Sequence, residues 1–339
     1  MASPSKTSPA SHLRVVFMGT PELACASLQA LLASDRCDVV AVVTQPDRPK
    51  GRDLKLVPSP VKNLALSSGL TVFQPAKARD PQFVESIRQL QPDVIAVAAY
   101  GQILPLALLQ VPGFGCLNVH TSLLPKYRGA APIQWAILNG EQETGVTIMK
   151  MDAGLDTGAI LTQERTPILD RDDSQTLHDR LAKLGADLLL RTLDEYTASR
   201  IQPRPQPDEG VSYARKILKS DGEIDWGQPA QKIHNQVRAL IPWPVAFTHL
   251  PAPQADLLKI WRAETADVSA PPGELAIVDK AGIVVGCGQQ ALRILTLQRE
   301  GGRRLTPEQF LAGRPLQPGQ RLGHHHGRGG DVSSPHPLQ

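Results

Sequence analysis

The sequence predicts an α/β protein with two domains: an N-terminal Rossmann-like, doubly wound parallel sheet and a C-terminal small β-barrel that is OB-like. Its 339 residues are enough for two domains. In the N-terminal part, apolar runs alternate with helical stretches, which is typical of βαβ units and a parallel sheet. After a Pro-rich stretch at residues 201–210, short apolar runs separated by turn residues follow, and this spacing favours a small barrel.

The first domain is predicted from the order of its apolar runs. Strands are predicted over residues 13–18, 39–44, 69–73, 93–98, 144–151 and 159–166, with a further strand around Asn118 and His120. Helices are predicted over residues 22–32, 80–90, 105–109 and 131–138, and Ser174 is predicted to cap a long helix. Thr20 and Asp80 are predicted N-caps, because each precedes a proline at the first helical position. The first turn lacks G-x-G-x-x-G, so a dinucleotide is disfavoured.

The second domain is predicted from five short apolar stretches. They cover residues 245–250, 257–263, 273–278, 282–286 and 291–297, and a helix over 229–240 interrupts them. The expected organisation is a disordered leader at 1–12, a catalytic domain at 13–202, a linker at 203–212, the barrel at 213–318 and a disordered tail at 319–339.

Composition bounds the class of protein. The sequence has no apolar run of about 18 residues and its start has no secretory h-region, so no membrane partner is expected. The four cysteines are scattered without C-x-x-C spacing, which favours a reducing compartment, the cytoplasm, and argues against a structural zinc site. The net charge of +3 excludes a dedicated nucleic-acid arm, so a polyanion would have to meet local cationic patches.

Candidate catalytic side chains lie in and after the strand near residue 118. Asn118 and His120 are two residues apart, so both project from one face of a strand. They lie at its C-terminal end, which is where parallel α/β sheets bind ligands. A histidine needs a partner to fix its tautomer, and Asp156, in a loop with two flanking glycines, is the candidate carboxylate. Asp152 is the alternative for the same role.

A Pro-rich, cationic segment covers residues 45–62. It carries five basic residues against Asp47 and Asp53, which favours an anionic partner over a merely solvated loop. The basic residues are Arg48, Lys50, Arg52, Lys55 and Lys62.

Several motifs together resemble the folate-dependent formyltransferases, and among them the methionyl-tRNA formyltransferases. The central motifs are NVHTSLLPKYRGAAPIQW at 118–135 and MDAGLDTG at 151–158. Matches to the tRNA enzymes include FMGTPE at 17–22, TQPDRPKGR at 44–52, YARKI at 213–217 and RALIPWP at 238–244. The resemblance covers about residues 13–320. Asp53 departs from it by diluting the charge of the cationic segment, and the leader and tail have no counterpart.

The resemblance implies transfer of a formyl group from the co-substrate 10-formyltetrahydrofolate to the α-amino group of methionyl initiator tRNA. Asn118 then donates hydrogen bonds to the oxyanion, and His120 donates as well or assists proton transfer. Asp156 orients His120, stabilises its cation, and holds a water or takes part in proton removal. Neither a metal nor a covalent intermediate is needed, and a monomer is expected.

The resemblance also implies binding residues. The loop Ser122, Leu123, Leu124 and Pro125 is the expected tetrahydrofolate contact. The cationic segment is expected to meet the tRNA acceptor end, and the barrel to meet the tRNA backbone through salt-sensitive charge contacts. The expected tRNA contacts are Arg48, Lys50, Arg52 and Lys55 in the segment, and Arg215, Lys216, Lys219, Arg303 and Arg304 in the barrel.

Three alternatives stay open at this point. The polar trio also suits formyl transfer to a sugar nucleotide or to glycinamide ribonucleotide, although the RALIPWP stretch argues against the latter. A formyl-folate hydrolase would keep the trio but need no cationic segment. A non-enzymatic RNA-binding protein would explain the basic residues but not the trio.

Overall fold

A computed structural model of the chain describes residues 12–50, 55–251 and 256–323. The chain forms two compact units that divide between Ile217 and Leu218. The predicted leader, apart from residue 12, and residues 324–339 of the predicted tail lie outside the described residues.

The first unit contains eleven strands and six α-helices among its described residues. The strands are β1 (Leu13–Gly19), β2 (Cys37–Val43), β3 (Arg48–Lys50), β4 (Lys55–Val57), β5 (Val72–Phe73), β6 (Val94–Ala98), β7 (Cys116–His120), β8 (Arg128–Gly129), β9 (Glu143–Lys150), β10 (Ala159–Pro167) and β11 (Tyr213–Ala214). The helices are α1 (Glu22–Ala33), α2 (Pro60–Ser67), α3 (Pro81–Gln89), α4 (Leu106–Leu109), α5 (Pro132–Leu138) and α6 (Ser174–Thr197).

A seven-stranded sheet forms the centre of this unit, in the order β10-β9-β7-β6-β1-β2-β5. The pairs among β7, β6, β1, β2 and β5 are parallel, whereas β9 and β10 add an antiparallel edge. This confirms the predicted Rossmann-like sheet. The strand order reverses beside β1, where the chain passes from β5 back to β6, and such a switch point opens a ligand crevice at the carboxyl ends of the strands.

Two predicted helix caps are wrong and one is confirmed. Asp80 accepts a hydrogen bond from the backbone of Gln82 and caps α3, as predicted. The N-cap of α1 is Pro21, because the Thr20 hydroxyl donates to the carbonyl of Tyr100 at 3.1 Å instead. The N-cap of α6 is Asp173, whose carboxylate accepts from two backbone N–H groups and so satisfies more of the helix terminus than Ser174 could.

The second unit is an antiparallel sheet with helices and one short 3₁₀ turn at Lys219–Gly222. Its elements are α7 (Ala230–Ala239), β12 (Ala246–His249), β13 (Leu257–Ala266), β14 (Leu275–Asp279), β15 (Gly282–Gly286), β16 (Ala291–Arg299) and α8 (Pro307–Gly313). The strands are ordered β12-β13-β16-β15-β14, and within the described residues β12 and β14 form the two edges of the sheet. Buried side chains such as Trp226, Ile260 and Phe310 form its core.

The structure corrects two ends of the predicted second domain. Strand β11 pairs in parallel with β8, so residues after 213 still belong to the first unit. At the other end, residues 319–323 are not a disordered tail. Gly319 and Leu322 donate backbone hydrogen bonds to the carbonyls of Leu275 and Gly273, and Leu322 is 5% exposed because its side chain joins the apolar core.

None of the helices described above is both long enough and apolar enough to cross a bilayer.

Candidate functional site

Strand β7 places Asn118 and His120 on one face at the carboxyl end of the sheet. Asn118 is paired with Val97 of β6 and Met149 of β9, so the strand is fixed from both sides. Both polar side chains are buried, at 9% and 6% exposure. Because burying an amide and an imidazole is unfavourable without polar partners, their position at a strand end indicates a polar site.

His120 has a different partner at each ring nitrogen. Its Nε2 is 2.9 Å from the carbonyl oxygen of Tyr127. A carbonyl can only accept, so Nε2 carries the proton in this hydrogen bond. Its Nδ1 lies 3.7 Å from Oδ2 of Asp156. The nitrogen that faces the carboxylate is therefore the one free to take a second proton.

Asp156 is held by the backbone rather than by the histidine. Its Oδ2 accepts a hydrogen bond of 2.8 Å from the N–H of Gly129. The 3.7 Å separation from His120 is an ion-pair distance, longer than a hydrogen bond. In this structure the imidazole donates its hydrogen bond to the Tyr127 carbonyl, and the orienting role of Asp156 stays a prediction. The alternative carboxylate, Asp152, instead accepts from Gly154 and Thr157 in its own loop.

Three residues around these strand ends have left-handed backbone conformations. Their φ angles are +46° at Ala99, +62° at Tyr127 and +52° at Asp156. Such conformations are unfavourable for residues other than glycine and concentrate at functional sites, where the surrounding structure holds them. Here they follow β6, precede β8 and precede β10.

The predicted folate loop, Ser122–Pro125, is held rigidly by side chains of the antiparallel edge. The hydroxyl of Thr147 donates to the carbonyl of Ser122 and accepts from the backbone of Leu124, at 2.7 and 3.1 Å. The amide of Gln163 donates to the carbonyl of Leu124 and to Thr147, each at 2.9 Å. Because these loop groups are occupied within the protein, a ligand would meet mainly the apolar side chains of the loop.

Two cavities border the carboxyl ends of the strands. The smaller has a volume of about 290 Å³, and Leu123, Leu124 and Pro125 form part of its wall. The larger has a volume of about 460 Å³. It is lined by Ala99, Tyr100 and Gly101 after β6, together with Thr20, Pro21, Gln45, Pro46, Arg48, Pro49, Val57, Pro58, Ser59 and Pro60. Since β6 is the sheet neighbour of β7, the larger cavity lies on the switch-point side of the polar pair.

The chain was compared with known proteins. A family model described as formyl transferase matches residues 13–193, and one described as formyl transferase, C-terminal domain, matches residues 216–315. The methionyl-tRNA formyltransferase of Citrifermentans bemidjiense is 52% identical over 311 residues, which cover 92% of this chain and 96% of that protein. The methionyl-tRNA formyltransferase of Geobacter metallireducens is 51% identical over 312 residues, with coverages of 92% and 99%.

The chain belongs to the methionyl-tRNA formyltransferase family. Among solved structures, HypX from Aquifex aeolicus in complex with tetrahydrofolic acid is similar to this chain, with a TM-score of 0.59 and 16% identity. The similarity covers 93% of this chain and 51% of that one, and at this identity it shows the fold alone.

The cationic segment of this family member is partly structured and anchored at its base. Strands β3 and β4 form a hairpin, and α2 begins at Pro60, where a loop to residue 62 was predicted. Asp47 accepts hydrogen bonds from Lys62 at 2.6 Å and from Gln74 at 2.8 Å. These bonds hold the pKa of Asp47 below its usual range. Lys62 is therefore paired within the protein.

The predicted tRNA contacts in the hairpin differ in their surroundings. Arg48 bonds to Gln45 and lines the larger cavity. Lys50 and Lys55 face each other in the backbone register of β3 and β4. Arg52 lies outside the described residues.

The other predicted tRNA contacts divide between the two units. Arg215 and Lys216, predicted to lie in the barrel, fall in the first compact unit, which ends at Ile217, although the match to the C-terminal family model begins at residue 216. The Arg215 guanidinium lies 5.0 Å from the ring centre of Trp135. In the second unit, Lys219, Arg303 and Arg304 are exposed.

The Pro-rich stretch predicted as a linker is part of the site of this formyltransferase. Arg204 pairs through its backbone with Ile160. The Ser212 hydroxyl accepts from the backbone of Tyr127 at 2.9 Å, and the Gln206 amide bonds to the carbonyl of Asp156 at 2.7 Å. Sequence reasoning missed Arg204, Gln206 and Ser212, because the Pro-rich composition indicated only extended backbone there. It missed the Gly129 N–H and the Tyr127 carbonyl because backbone groups have no sequence signature.

Within the described ranges, no three His, Cys, Asp or Glu side chains cluster so as to share a metal ion.

Proposed function

We propose that this protein transfers the formyl group of 10-formyltetrahydrofolate to the α-amino group of methionine on initiator tRNA. Membership of the methionyl-tRNA formyltransferase family supports this reaction. The observation that carries it is the pairing of His120 Nδ1 with the Asp156 carboxylate, 3.7 Å apart, on the strand face that also bears Asn118.

The amine must attack the formyl carbon as a free base. A bond forms between the amine nitrogen and this carbon, and the formyl oxygen acquires negative charge in the tetrahedral intermediate. The amide N–H groups of Asn118 are suited to stabilise that oxygen, because they are fixed in a buried strand before the reaction starts. Loss of one such donor costs about 3–4 kcal/mol of transition-state stabilisation in other enzymes.

We assign proton transfer to Nδ1 of His120, the ring nitrogen that faces Asp156. His120 Nε2 is engaged with the Tyr127 carbonyl, so Nδ1 takes the proton from the attacking amine. The Asp156 carboxylate offsets the resulting positive charge. As the bond between the formyl carbon and N10 breaks, the same proton passes to N10. One N–H bond of the amine is thereby exchanged for one N–H bond of tetrahydrofolate.

The folate-derived donor is assigned to the apolar surfaces beside the trio. The pterin and its linker are flat and partly apolar, and Leu123 and Pro125 offer apolar contacts from the rigid loop. Large apolar side chains are also exposed nearby in the chain: Ile103 after β6, at 77%, and Leu155 directly before Asp156, at 54%. Exposed apolar side chains of this size are typical of ligand sites.

The tRNA is assigned to cationic and aromatic groups in each unit. In the first unit, Arg48 borders the larger cavity, and the Arg215 guanidinium lies over the Trp135 ring, 5.0 Å from its centre. In the second unit, the Arg304 guanidinium lies 3.3 Å from the ring centre of Trp261. A guanidinium that lies over an aromatic ring can present its outer face to bases and phosphates. Lys50, Arg52, Lys55, Lys216, Lys219 and Arg303 are proposed as further phosphate contacts.

The reaction is tested by incubating the protein with 10-formyltetrahydrofolate and either initiator or elongator tRNA charged with methionine. We expect formylmethionine on the initiator tRNA alone. Equal formylation of both tRNAs would contradict initiator selection. Release of formate without any formylmethionine would contradict transfer and identify a hydrolase instead.

A further inference from the structure

The side chain of Gln206 connects two segments that hold His120 and Asp156: the loop that contains Asp156 and the segment around Arg128. Its Nε2 donates to the carbonyl of Asp156 at 2.7 Å and to the carbonyl of Gly158 at 2.8 Å. Its Oε1 accepts from Nε and from a terminal guanidinium nitrogen of Arg128, at 3.1 and 2.7 Å. One side chain from the Pro-rich stretch therefore bridges the Asp156 loop and strand β8.

All hydrogen-bonding positions of this amide are used. Both N–H hydrogens go to backbone carbonyls, and the oxygen accepts both bonds from Arg128, so the side chain is half-buried and fully satisfied. Glutamate at this position would keep an oxygen for Arg128 but turn a second oxygen toward two carbonyls that can only accept. The chemistry of the site thus requires a glutamine rather than merely a polar side chain.

Two of the three partners of Gln206, Asp156 and Arg128, lie where the backbone holds the site. Asp156 has a φ of +52°, and this left-handed conformation aims its carboxylate at Gly129 N–H and His120 Nδ1. Arg128 stands between Tyr127, whose carbonyl holds His120, and Gly129, whose N–H holds Asp156. Gln206 therefore bonds to the backbone of the Asp156 loop on one side, and on the other to the side chain of the residue between Tyr127 and Gly129.

We propose that Gln206 is a positioning residue for formyl transfer: its amide holds the Asp156 loop in the left-handed conformation that places the carboxylate beside His120. This role rests on the proposed function. It requires no contact between Gln206 and either substrate, so its loss affects turnover rather than binding.

The test compares the full-length chain with three variants, Gln206→Glu, Gln206→Met and Gln202→Glu. Gln206→Glu keeps the Arg128 bond but loses both bonds to the carbonyls, and Gln206→Met loses all of them without adding an acceptor. Gln202→Glu makes the same charge change at an exposed residue of the same stretch and serves as the control. Steady-state formylation of methionyl initiator tRNA gives kcat and the KM for each substrate, and thermal melting reports folding.

We expect kcat to fall about 100-fold in Gln206→Glu, since a displacement near 1 Å in a reacting geometry has effects of this size. The kcat of Gln206→Met should fall less, and the kcat of Gln202→Glu should match that of the wild type. Both KM values should stay within about twofold, because binding groups are untouched. The ring nitrogen NMR signals of His120, assigned by their loss in His120→Ala, should shift in Gln206→Glu, because the carboxylate beside Nδ1 has moved.

Wild-type kcat in Gln206→Glu would overturn the positioning role. So would a parallel loss of kcat, both KM values and melting temperature in Gln206→Met, which would indicate a purely structural residue. If the wild-type chain itself formylates no methionyl-tRNA, the proposed function fails, and the NMR comparison still decides whether Gln206 holds the carboxylate against His120.

Discussion

At the residue scale, the proposed chemistry depends on the different partners of the two ring nitrogens of His120. Nε2 is committed to the Tyr127 carbonyl, and Nδ1 faces Asp156. The side chains of this arrangement could be predicted from spacing, because strand alternation puts Asn118 and His120 on one face and a histidine needs a charged partner. The backbone groups that orient them could not, since a carbonyl or an N–H group has no sequence signature of its own.

Replacement of Asp156 by asparagine tests the charge at this position. Asparagine keeps the size of the side chain and an oxygen for Gly129 N–H, but it cannot offset a protonated imidazole. We expect kcat to fall about 100-fold, within the range for lost acid–base assistance, with little change in melting temperature. The exposed Asp187 of α6 provides the control, because Asp187→Asn makes the same change away from the site. Equal kcat values for the two variants would exclude Asp156 from the reaction.

At the element scale, the positions of helices, strands and loops depend partly on contacts between segments that are distant in the sequence. The apolar runs predicted the central strands and the order of the helices, because burial on a parallel sheet needs that pattern. The Pro-rich composition of residues 203–212 indicated extended backbone, but not that Arg204, Gln206 and Ser212 would bond to the site. The cap of α6 was misplaced by one residue, because Asp173 and Ser174 are both good N-caps and only the backbone geometry selects between them.

In the second unit, the carboxylate of Asp256, which directly precedes β13, connects that strand with β16 and with the end of α8. Its Oδ2 accepts from Arg314, which follows α8, at 2.8 Å and from Arg299, at the end of β16, at 2.9 Å. The hydrogen bond from Arg314 and the charge of Arg299 hold the pKa of Asp256 below its usual range. Because the pKa is lower in the folded chain, the stabilisation is present above the ordinary aspartate pKa of about 3.9 and is lost as the pH falls through the folded value.

Melting of the wild type and of Asp256→Asn across a pH series measures this contribution. We expect the wild type to melt at the higher temperature at neutral pH, with the gap closing as the pH falls below about 4. A gap that stays constant, or widens, on acidification would show that the arginines do not stabilise the carboxylate form.

At the scale of the whole molecule, a protein with a small net charge has to bind a highly charged substrate. The formal charge is +3, so attraction to tRNA must come from patches in the two units rather than from the chain as a whole. The sequence offers candidate basic residues for these patches, and they stay a prediction. It could not show that Arg215 and Arg304 lie beside tryptophan rings, because such pairs join residues far apart in the chain.

Replacement of Arg304 by alanine tests the patch in the second unit. We expect weaker tRNA binding and a slope of log K against log salt that is smaller by about one, as for the loss of one phosphate contact. Folate binding should not change. Lys280→Ala removes a cation that is 84% exposed in the same unit and serves as the control. Loss of affinity with an unchanged salt slope would count against a phosphate contact.

The most direct measurement is single-turnover formylation of methionyl initiator tRNA by His120→Ala, with tRNA affinity measured in parallel. We expect a rate at least about 100-fold below the wild type, because proton transfer at Nδ1 is lost, and an unchanged affinity for tRNA. A rate equal to that of the wild type would exclude His120 from the proton transfer and contradict the proposed mechanism.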